Sequence, residues 1–432
     1  MKRMILINPP SPFLIDERVF PNLGLVQLAT SLKEKGVDAP ILDLCGTDNA
    51  EEKMRKAAND YDLFGFSSTT PQFIETAKLN RVLKETNTAA KSIIGGAHPS
   101  AIYSLVKSGK TDDPNIASLG EFDFYVSGEG DDLDLDNLQQ GWNHGPLVKD
   151  INGSPIPDRS LIDVTSYKYS LKGRDATTVM TQRGCPFTCT FCCGRDIDMY
   201  KKTRSKSAER VVEELDYLNG EFGYDAFMWF DDEVNVNPKR LFEISKLLQQ
   251  RDYIHRGFIR SDLLLRNPDT LDSLFDAGFV ELCSGVESGS DEILGRINKG
   301  TTSAQNAEAA QMIMEKGITY KGFAIIGHPG ETYADVEKTT DWIKTVQPDG
   351  FDISILSPLP GSRLYDKSVP STKYSGFDRE CQGLYFQEVD YSKASSFYKG
   401  KPGEYVCHVR TDELSDTDIV KLRDQIEDEL RK

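Results

Sequence analysis

The chain has 432 residues, more than one hydrophobic core normally serves, so two domains and a small third are expected. Hydrophobic residues make up 38% and charged residues 28%, the balance of a soluble globular protein, and no run approaches the roughly 18 apolar residues of a membrane span. A net charge of −17 disfavours nonspecific binding to nucleic acid or anionic membranes, and no nucleic-acid partner is expected.

The first 130 residues alternate between short apolar runs and helical stretches. MILINP enters a strand too soon for a signal peptide, and LGLVQLATSLKEKG has helical periodicity and a glycine stop. VDAPILDL, LFGFSS, KSIIGG and FDFYVSGEG follow as further strands. Such alternation implies an open parallel sheet with helices on both faces, whose ligands lie beyond the carboxyl ends of the strands. Those ends carry Pro9 and Pro10; Ser67, Ser68 and Thr69; Gly95, Gly96 and His98; and Gly128, Glu129 and Gly130. Small and glycine-rich turns let the backbone approach a large ligand closely. Any one of them also reads as a tight strand-to-helix turn, with His98 and Pro99 opening a helix.

From Gly141 to about Tyr169 the pattern breaks into NHGPLVKDINGSPIPDRS, a linker by its glycine, proline and aspartate content. Alternation returns from about Arg174 to Tyr365. There ATTVMTQRG, DAFMWFDDEV, HRGFIRS, VELCSGVE, TYKGFAIIG and GFDISILSPLP are strands separated by helices such as SAERVVEELDYLNG. In a barrel of such units, chemistry lies at the carboxyl ends of the strands. Beyond Asp366, KYSGFDRECQGLYFQEVDY and KGKPGEYVCHVRT lose the alternation, and Ser415 to Lys432 reads as a capped, charged helix. This tail is expected to cover the barrel mouth.

Eight cysteines in a chain this long form no disulfide framework, and a reducing cytoplasm is the expected setting. Cys185, Cys189 and Cys192 fall at spacings of four and three in RGCPFTCTFCCGRD, directly after the first barrel strand. Three local thiolates can hold a cubane iron-sulfur cluster and leave its fourth iron open to a substrate or cosubstrate. A structural zinc ion is the alternative, but zinc usually takes four ligands, and Cys193 beside Cys192 is poorly placed as the fourth. Cys193 is expected to be a bystander, and Cys283 an inert buried thiol rather than a second catalytic one. Asp231, Asp232 and Glu233 close the second barrel strand, where a carboxylate can bind an ammonium or cap the next helix. Arg260 and Ser261 close the third; arginine suits a carboxylate but serves equally in a surface salt bridge. Glu287 and Ser288 close the fourth in GVESGS, and alternation puts Cys283, Gly285 and Glu287 on one face. Ile326 and Gly327 end the fifth, with Glu331 at the next helix start.

The CxxxCxxC loop, with aromatic Phe191 before its third cysteine, resembles the signature of the radical SAM enzymes. The resemblance implies that Cys185, Cys189 and Cys192 bind a [4Fe-4S] cluster whose open iron chelates S-adenosylmethionine. One electron from the cluster then yields a 5'-deoxyadenosyl radical. It also implies that Asp231, Asp232 and Glu233 meet the methionyl amino group, Arg260 and Ser261 the carboxylate or ribose, Glu287 and Ser288 the ribose, and Ile326 the adenine. The series NLGL, GFSSTT, GGAHPS and SGEG ahead of that loop resembles the cobalamin-binding domain of the B12-dependent subgroup. On that resemblance the residues at the first sheet's strand ends are corrinoid contacts. None of the five histidines lies in an Asp-x-His-x-x-Gly context, so no lower axial histidine is expected.

The implied fold is α/β. A Rossmann-like cobalamin-binding domain with an open parallel sheet spans 1–140 and a linker 141–173. A partial (β/α)6 TIM-like radical SAM barrel spans 174–365, and a small α+β substrate-capping tail 366–432. The implied activity is methyl transfer from methylcobalamin to an unactivated carbon of a small-molecule or modified natural-product substrate, with a reducing partner such as flavodoxin or ferredoxin. Oxidative cyclisation or rearrangement would use the same cofactors. Methylthiolation of transfer RNA usually needs further amino-terminal cluster cysteines, and only Cys45 is there. A corrinoid- or SAM-binding sensor without turnover is the rival of a different class, and the intact cysteine triad counts against it.

Overall fold

The computed structural model describes residues 3–393 and 405–430. Residues 394–404, which include part of the expected capping string KGKPGEYVCHVRT, and the last two residues of the expected tail helix lie outside them.

The first sheet contains β1 (Met4–Asn8), β2 (Ile41–Asp43), β3 (Leu63–Ser67), β4 (Lys91–Gly95), β5 (Phe124–Gly128) and β6 (Gly141–Gly145). All its pairings are parallel, in the order β2-β1-β3-β4-β5-β6. Strand alternation sends Leu6, Ile93 and Val126 to one face, against Leu25 and Leu32 of the helix Leu23–Glu34. Ile5, Ile7, Phe64 and Ile94 go to the other, against Phe73 and Leu79. That helix starts at Asn22, whose side chain accepts from Leu25 N at 3.1 Å, a cap that supplies one otherwise unmatched donor. Strand order reverses between β1 and β3, and a crevice opens beyond the carboxyl ends at such a switch point.

β6 is a correction to the expected linker. Gly-Trp-Asn-His-Gly carries no apolar run, because as the edge strand it pairs only with β5 and rests two rings on its neighbours, Trp142 on Tyr125 at 5.0 Å and His144 on Tyr103 at 4.4 Å. Gly128 and Gly145 are direct partners, and this approach tolerates no side chain. A Cβ on Gly145 would lie 1.8 Å from the Glu129 carbonyl oxygen, and one on Gly128, at φ +95°, 2.3 Å from the Gly145 carbonyl oxygen.

The second sheet has β7 (Tyr169–Leu171) and β8 (Arg174–Val179). The short ribbon β9 (Gln182–Arg183) and β10 (Arg204–Ser205) follows in the chain. The sheet then continues with β11 (Ala226–Trp229), β12 (Ile254–Ile259), β13 (Phe279–Glu287), β14 (Thr319–Ile326) and β15 (Gly350–Ile355). Its order, β15-β14-β13-β12-β11-β8-β7, is an open half-barrel. The six expected strands run parallel; β7, read from sequence as linker, joins antiparallel through the left-handed turn Lys172–Gly173. Side chains of one phase pack against the helices. The other phase carries charge, with Arg256 and Glu281 paired at 2.8 Å and Lys321 and Asp352 at 3.2 Å.

The tail contributes an antiparallel sheet of β16 (Val369–Tyr374), β17 (Phe377–Cys381), β18 (Leu384–Phe386) and β19 (Val409–Arg410), then the helix Asp416–Leu430. That helix lies against edge strand β15. Glu427 accepts from Ile353 N and Arg423 donates to Ile353 O, both at 3.3 Å, occupying backbone groups that an edge leaves open. Val409 and Ile419 close over Gly327 at the end of β14. Among the described residues, no helix is long and apolar enough to cross a membrane.

Gly145→Ala is expected to destabilise the protein by about 1–3 kcal/mol, because the β5–β6 turn must move to admit the methyl group. Gly120→Ala, where a Cβ meets nothing within 4 Å, is expected to stay within about 0.5 kcal/mol of wild type. Thermal melting followed by circular dichroism checks both.

Candidate active site

The cysteine loop fills the connection between β9 and β10. Its two ends cross at Gly184, where φ is +84° and a Cβ would lie 2.6 Å from the Lys202 carbonyl oxygen. Cys185 N donates to Tyr200 O at 2.9 Å, Thr190 N to Ile297 O at 2.9 Å, and Leu364 N to Thr190 O at 3.2 Å, so the loop is tied to itself and to two barrel connections. Phe191 anchors it by packing on Ile293, Leu294 and Ile297 and against the His328 ring, 5.9 Å between centroids. The aromatic before the third cysteine thus fixes the loop on the barrel.

Cys189 is buried and Cys185 half-buried. Cys192 and Cys193 are exposed. Burial pushes the Cys185 thiol up to about 11 and that of Cys192 to about 12, so without metal both are held as neutral thiols. Among the described residues, no three metal-ligating side chains gather around one ion-sized point. A cubane takes each cysteine at a different iron, and three soft sulfur donors in one anchored loop fit that group.

The strand ends around this loop divide into open and spent groups. Asp231 is spent: its carboxylate accepts from Thr181 N at 2.6 Å, Gln182 N at 2.9 Å and Thr181 Oγ1, which pins the chain entering the cysteine loop. Asp232 lines the cavity between the two sheets; burial first, and then the neighbouring Asp231, raise its carboxyl to about 6. Glu233 keeps Oε2 buried without a partner, and burial lifts it to about 7 despite Lys299 and Arg260 nearby.

Arg260 is not in a surface salt bridge. It is buried, with its guanidinium 3.7 Å above the Phe187 ring, Nη1 3.8 Å from Cys189 Sγ, and Nε paired with Asp262 at 2.9 Å. Ser261 Oγ is buried without a partner. Glu287 sits at φ +63° where the β13–β14 register shifts, a left-handed conformation that a non-glycine residue keeps only when its surroundings enforce it. Its Oε1 accepts from Lys299 Nζ at 2.8 Å. Gly285 makes room for this pair, since a Cβ there would lie 2.2 Å from Glu287 Oε1 and 2.9 Å from Lys299 Nζ.

Two expectations at these ends fail. Ser288 is turned inward, its hydroxyl 3.3 Å from Thr339 Oγ1 and accepting from Ser290 N at 3.1 Å. Ile326 is wholly buried in the core phase of β14; a one-residue step reverses the face of a strand, so Ile325 shares the opposite phase with Lys321 and Phe323. Lys299, Asp262 and Phe187 were not read from the sequence as site residues.

Between the two sheets lies a cavity of about 300 Å³. Gly95, Gly96 and Gly128 wall it from the first sheet, Phe230 and Asp232 from the second, and Gly184 from the cysteine loop. A Cβ at Gly95 would meet no atom within 4 Å, so this turn leaves open the space a flat ligand needs. Ser67 and Gly130 also line the cavity, and the glycine cradle with its apolar floor fits a corrinoid.

The other expected corrinoid contacts lie elsewhere. Pro9 offers its carbonyl to Gln72 Nε2 at 3.4 Å and Pro10 is buried beside it. Ser68 bonds Thr76 at 3.0 Å, and Thr69 bonds Gln72 at 2.9 Å. His98 is a core residue, stacked on Phe73 at 4.0 Å and 3.2 Å from Thr70 Oγ1, with burial driving its pKa down to about 3. Glu129 reaches the cavity wall, but its carboxylate is taken by Arg183 at 2.8 Å, Arg204 at 2.6 Å and Val148 N at 2.7 Å. Sequence marks a turn and a residue type; the partners of Ser68 and Thr69 are local, while those of Pro9, His98 and Glu129 come from farther along the chain.

The chain matches the family model of the B12 binding domain over residues 17–132 and that of the radical SAM superfamily over residues 179–343. It is 28% identical, across 90% of both chains, to a protein of Pyrococcus horikoshii named an uncharacterised methyltransferase. It is 24% identical, over 83% of its length and 68% of the relative's, to the anaerobic magnesium-protoporphyrin IX monomethyl ester cyclase of Rubrivivax gelatinosus. In fold it is similar to the radical S-adenosylmethionine methyltransferase TsrM of Kitasatospora setae, solved with cobalamin and a [4Fe-4S] cluster. The TM-score is 0.64 at 15% identity, covering 90% of this chain and 81% of that one. With both models matched in this order, the chain belongs to the radical SAM enzymes that carry an amino-terminal B12-binding domain.

Proposed function

We infer that the protein transfers a methyl group to an unactivated carbon of a small-molecule substrate, using a [4Fe-4S] cluster, S-adenosylmethionine and cobalamin. The observation that supports this reading is the cavity between the two sheets, lined by the glycine turns of the first sheet, by Asp232 and by Gly184, the residue before Cys185. When bound, the cluster with S-adenosylmethionine supplies a 5'-deoxyadenosyl radical, and the corrinoid supplies the methyl group. Relatives named as methyltransferases support the same reading, and the cyclase relative makes ring-forming oxidation its competitor.

The chain's own residues bind and orient. Cys185, Cys189 and Cys192 hold the cluster, with the Arg260 guanidinium 3.8 Å from the Cys189 sulfur. Glu233 Oε2 and Ser261 Oγ are buried without partners at the ends of the second and third barrel strands, suited to the ammonium and hydroxyl groups of S-adenosylmethionine. Glu287, clamped through one oxygen by Lys299, offers its second oxygen to a ribose hydroxyl. The electron comes from a small reducing partner of the flavodoxin or ferredoxin kind.

The test is anaerobic reconstitution with iron, sulfide and hydroxocobalamin, metal quantification, and product analysis after reduction with S-adenosylmethionine. Bound cobalt with both 5'-deoxyadenosine and S-adenosylhomocysteine is expected. Cobalt with 5'-deoxyadenosine alone would favour the cyclase reading, and a protein that takes up iron and sulfide but no cobalt would remove the corrinoid from the reaction. Gly285→Ala is expected to melt below wild type, since its methyl group would press on the buried Glu287–Lys299 pair. By displacing Glu287 it should slow 5'-deoxyadenosine formation by about 10- to 100-fold.

A further inference from the structure

Glu129 was expected to touch the corrinoid, but its carboxylate is fully engaged with the other domain. Oε1 accepts from Arg183 Nη1 at 2.8 Å, and Oε2 from Arg204 Nη1 at 2.6 Å and Val148 N at 2.7 Å. Asp131, two residues on, adds a contact of 3.3 Å to Arg183. The two arginines are direct partners in the antiparallel ribbon β9–β10, where like charges facing each other repel. Solvent screens little of this, since the side chains of Glu129 and Arg204 are 7% and 3% exposed. The acidic turn therefore holds the ribbon together, and a buried charge left without its partner would be strongly unfavourable.

Position gives the contact its meaning. Glu129, Asp131, Arg183, Gly184 and Arg204 all line the cavity between the sheets. The segment that joins Arg183 to Arg204 is the cysteine loop itself, with Cys185 two residues beyond Arg183. A ligand seated against the Gly128–Glu129–Gly130 turn thus bears on the same bracket that clamps both ends of the cluster loop.

We propose that Glu129, bridging Arg183 and Arg204, is a positioning residue that couples the corrinoid site to the cluster site, so that occupancy of one changes the affinity of the other. This rests on the reading of the cavity as the corrinoid site, and linkage requires the effect to be reciprocal. The carboxylate acts through the ribbon and touches neither reacting group.

The full-length, cluster-reconstituted protein is titrated anaerobically with hydroxocobalamin, followed by its visible spectrum, with and without saturating S-adenosylmethionine. Wild type is expected to show an affinity ratio of about fivefold or more between the two conditions, and the same ratio for S-adenosylmethionine with and without hydroxocobalamin. In Glu129→Gln and Arg183→Gln the ratio is expected to fall to within about twofold of unity, and Glu129→Asp, which keeps the charge, to restore part of it. A purely structural role would weaken both ligands and leave the ratio intact. If Glu129→Gln fails to fold by circular dichroism, Arg183→Gln, which spares the Glu129–Arg204 pair, decides the matter. A ratio of one in wild type, or a ratio unchanged in the folded variants, overturns the proposal. Binding alone is read, so a protein that couples its ligands without transferring methyl groups would refute the methyltransferase reading and leave the coupling standing; a protein that binds no hydroxocobalamin would sink both.

Discussion

Parallel strands gather all their ligand-facing turns at one end, so two parallel sheets in one chain can serve one reaction only if those ends are turned toward each other. Much of that orientation here rests on polar groups removed from water. Glu129 with its two arginines holds the cavity side of the join. On another side Asp113 accepts from Tyr365 Oη at 2.8 Å, Asp366 accepts from Ser104 Oγ at 2.7 Å, and Asn115 donates to Val389 O at 3.0 Å. Such contacts are directional, so they fix an angle between domains that apolar packing alone would leave looser. Sliding one domain past the other would strand buried charge.

The second sheet shows the same economy of geometry at smaller scale. Glu287 needs a left-handed backbone, a shifted register, a glycine two residues earlier and a lysine twelve residues later before its carboxylate points where it does. Each of these alone is mildly unfavourable or neutral. Together they leave one oxygen of Glu287 tied and its position over-determined, which is how strain is kept at a functional position. Asp231 works differently: it gives up ligand contact entirely and spends its hydrogen bonds on the chain that leads into the cysteine loop.

What could be read from sequence divides along the range of the forces involved. The cysteine triad was legible because its spacing is local and its donors have few other uses together. The strands with apolar runs were legible because burial on one face dictates alternation. β6 and β7 were not, since edge strands need little apolar content, and Gly141–Gly145 reads as a loop until its pairing with Phe124–Gly128 is seen. His98 and Glu129 sat in the right turns, but whether a polar side chain faces ligand or protein depends on Phe73, Arg183 and Arg204, contributed from elsewhere in the chain. Ile326 ends its strand in the core phase, and a one-residue step in a strand is a whole face.

The half-barrel never closes, and at β15 it ends in a row of main-chain groups that could accept another strand. The helix Asp416–Leu430 covers that row, and at Ile353 the Arg423 and Glu427 side chains stand in for a missing neighbour by bonding both the carbonyl and the amide. Trimming the chain before this helix would therefore do more than shorten a cap. It would bare a template for strand addition between molecules, so the truncated protein would be lost first to self-association, with its cofactor chemistry still encoded and out of reach.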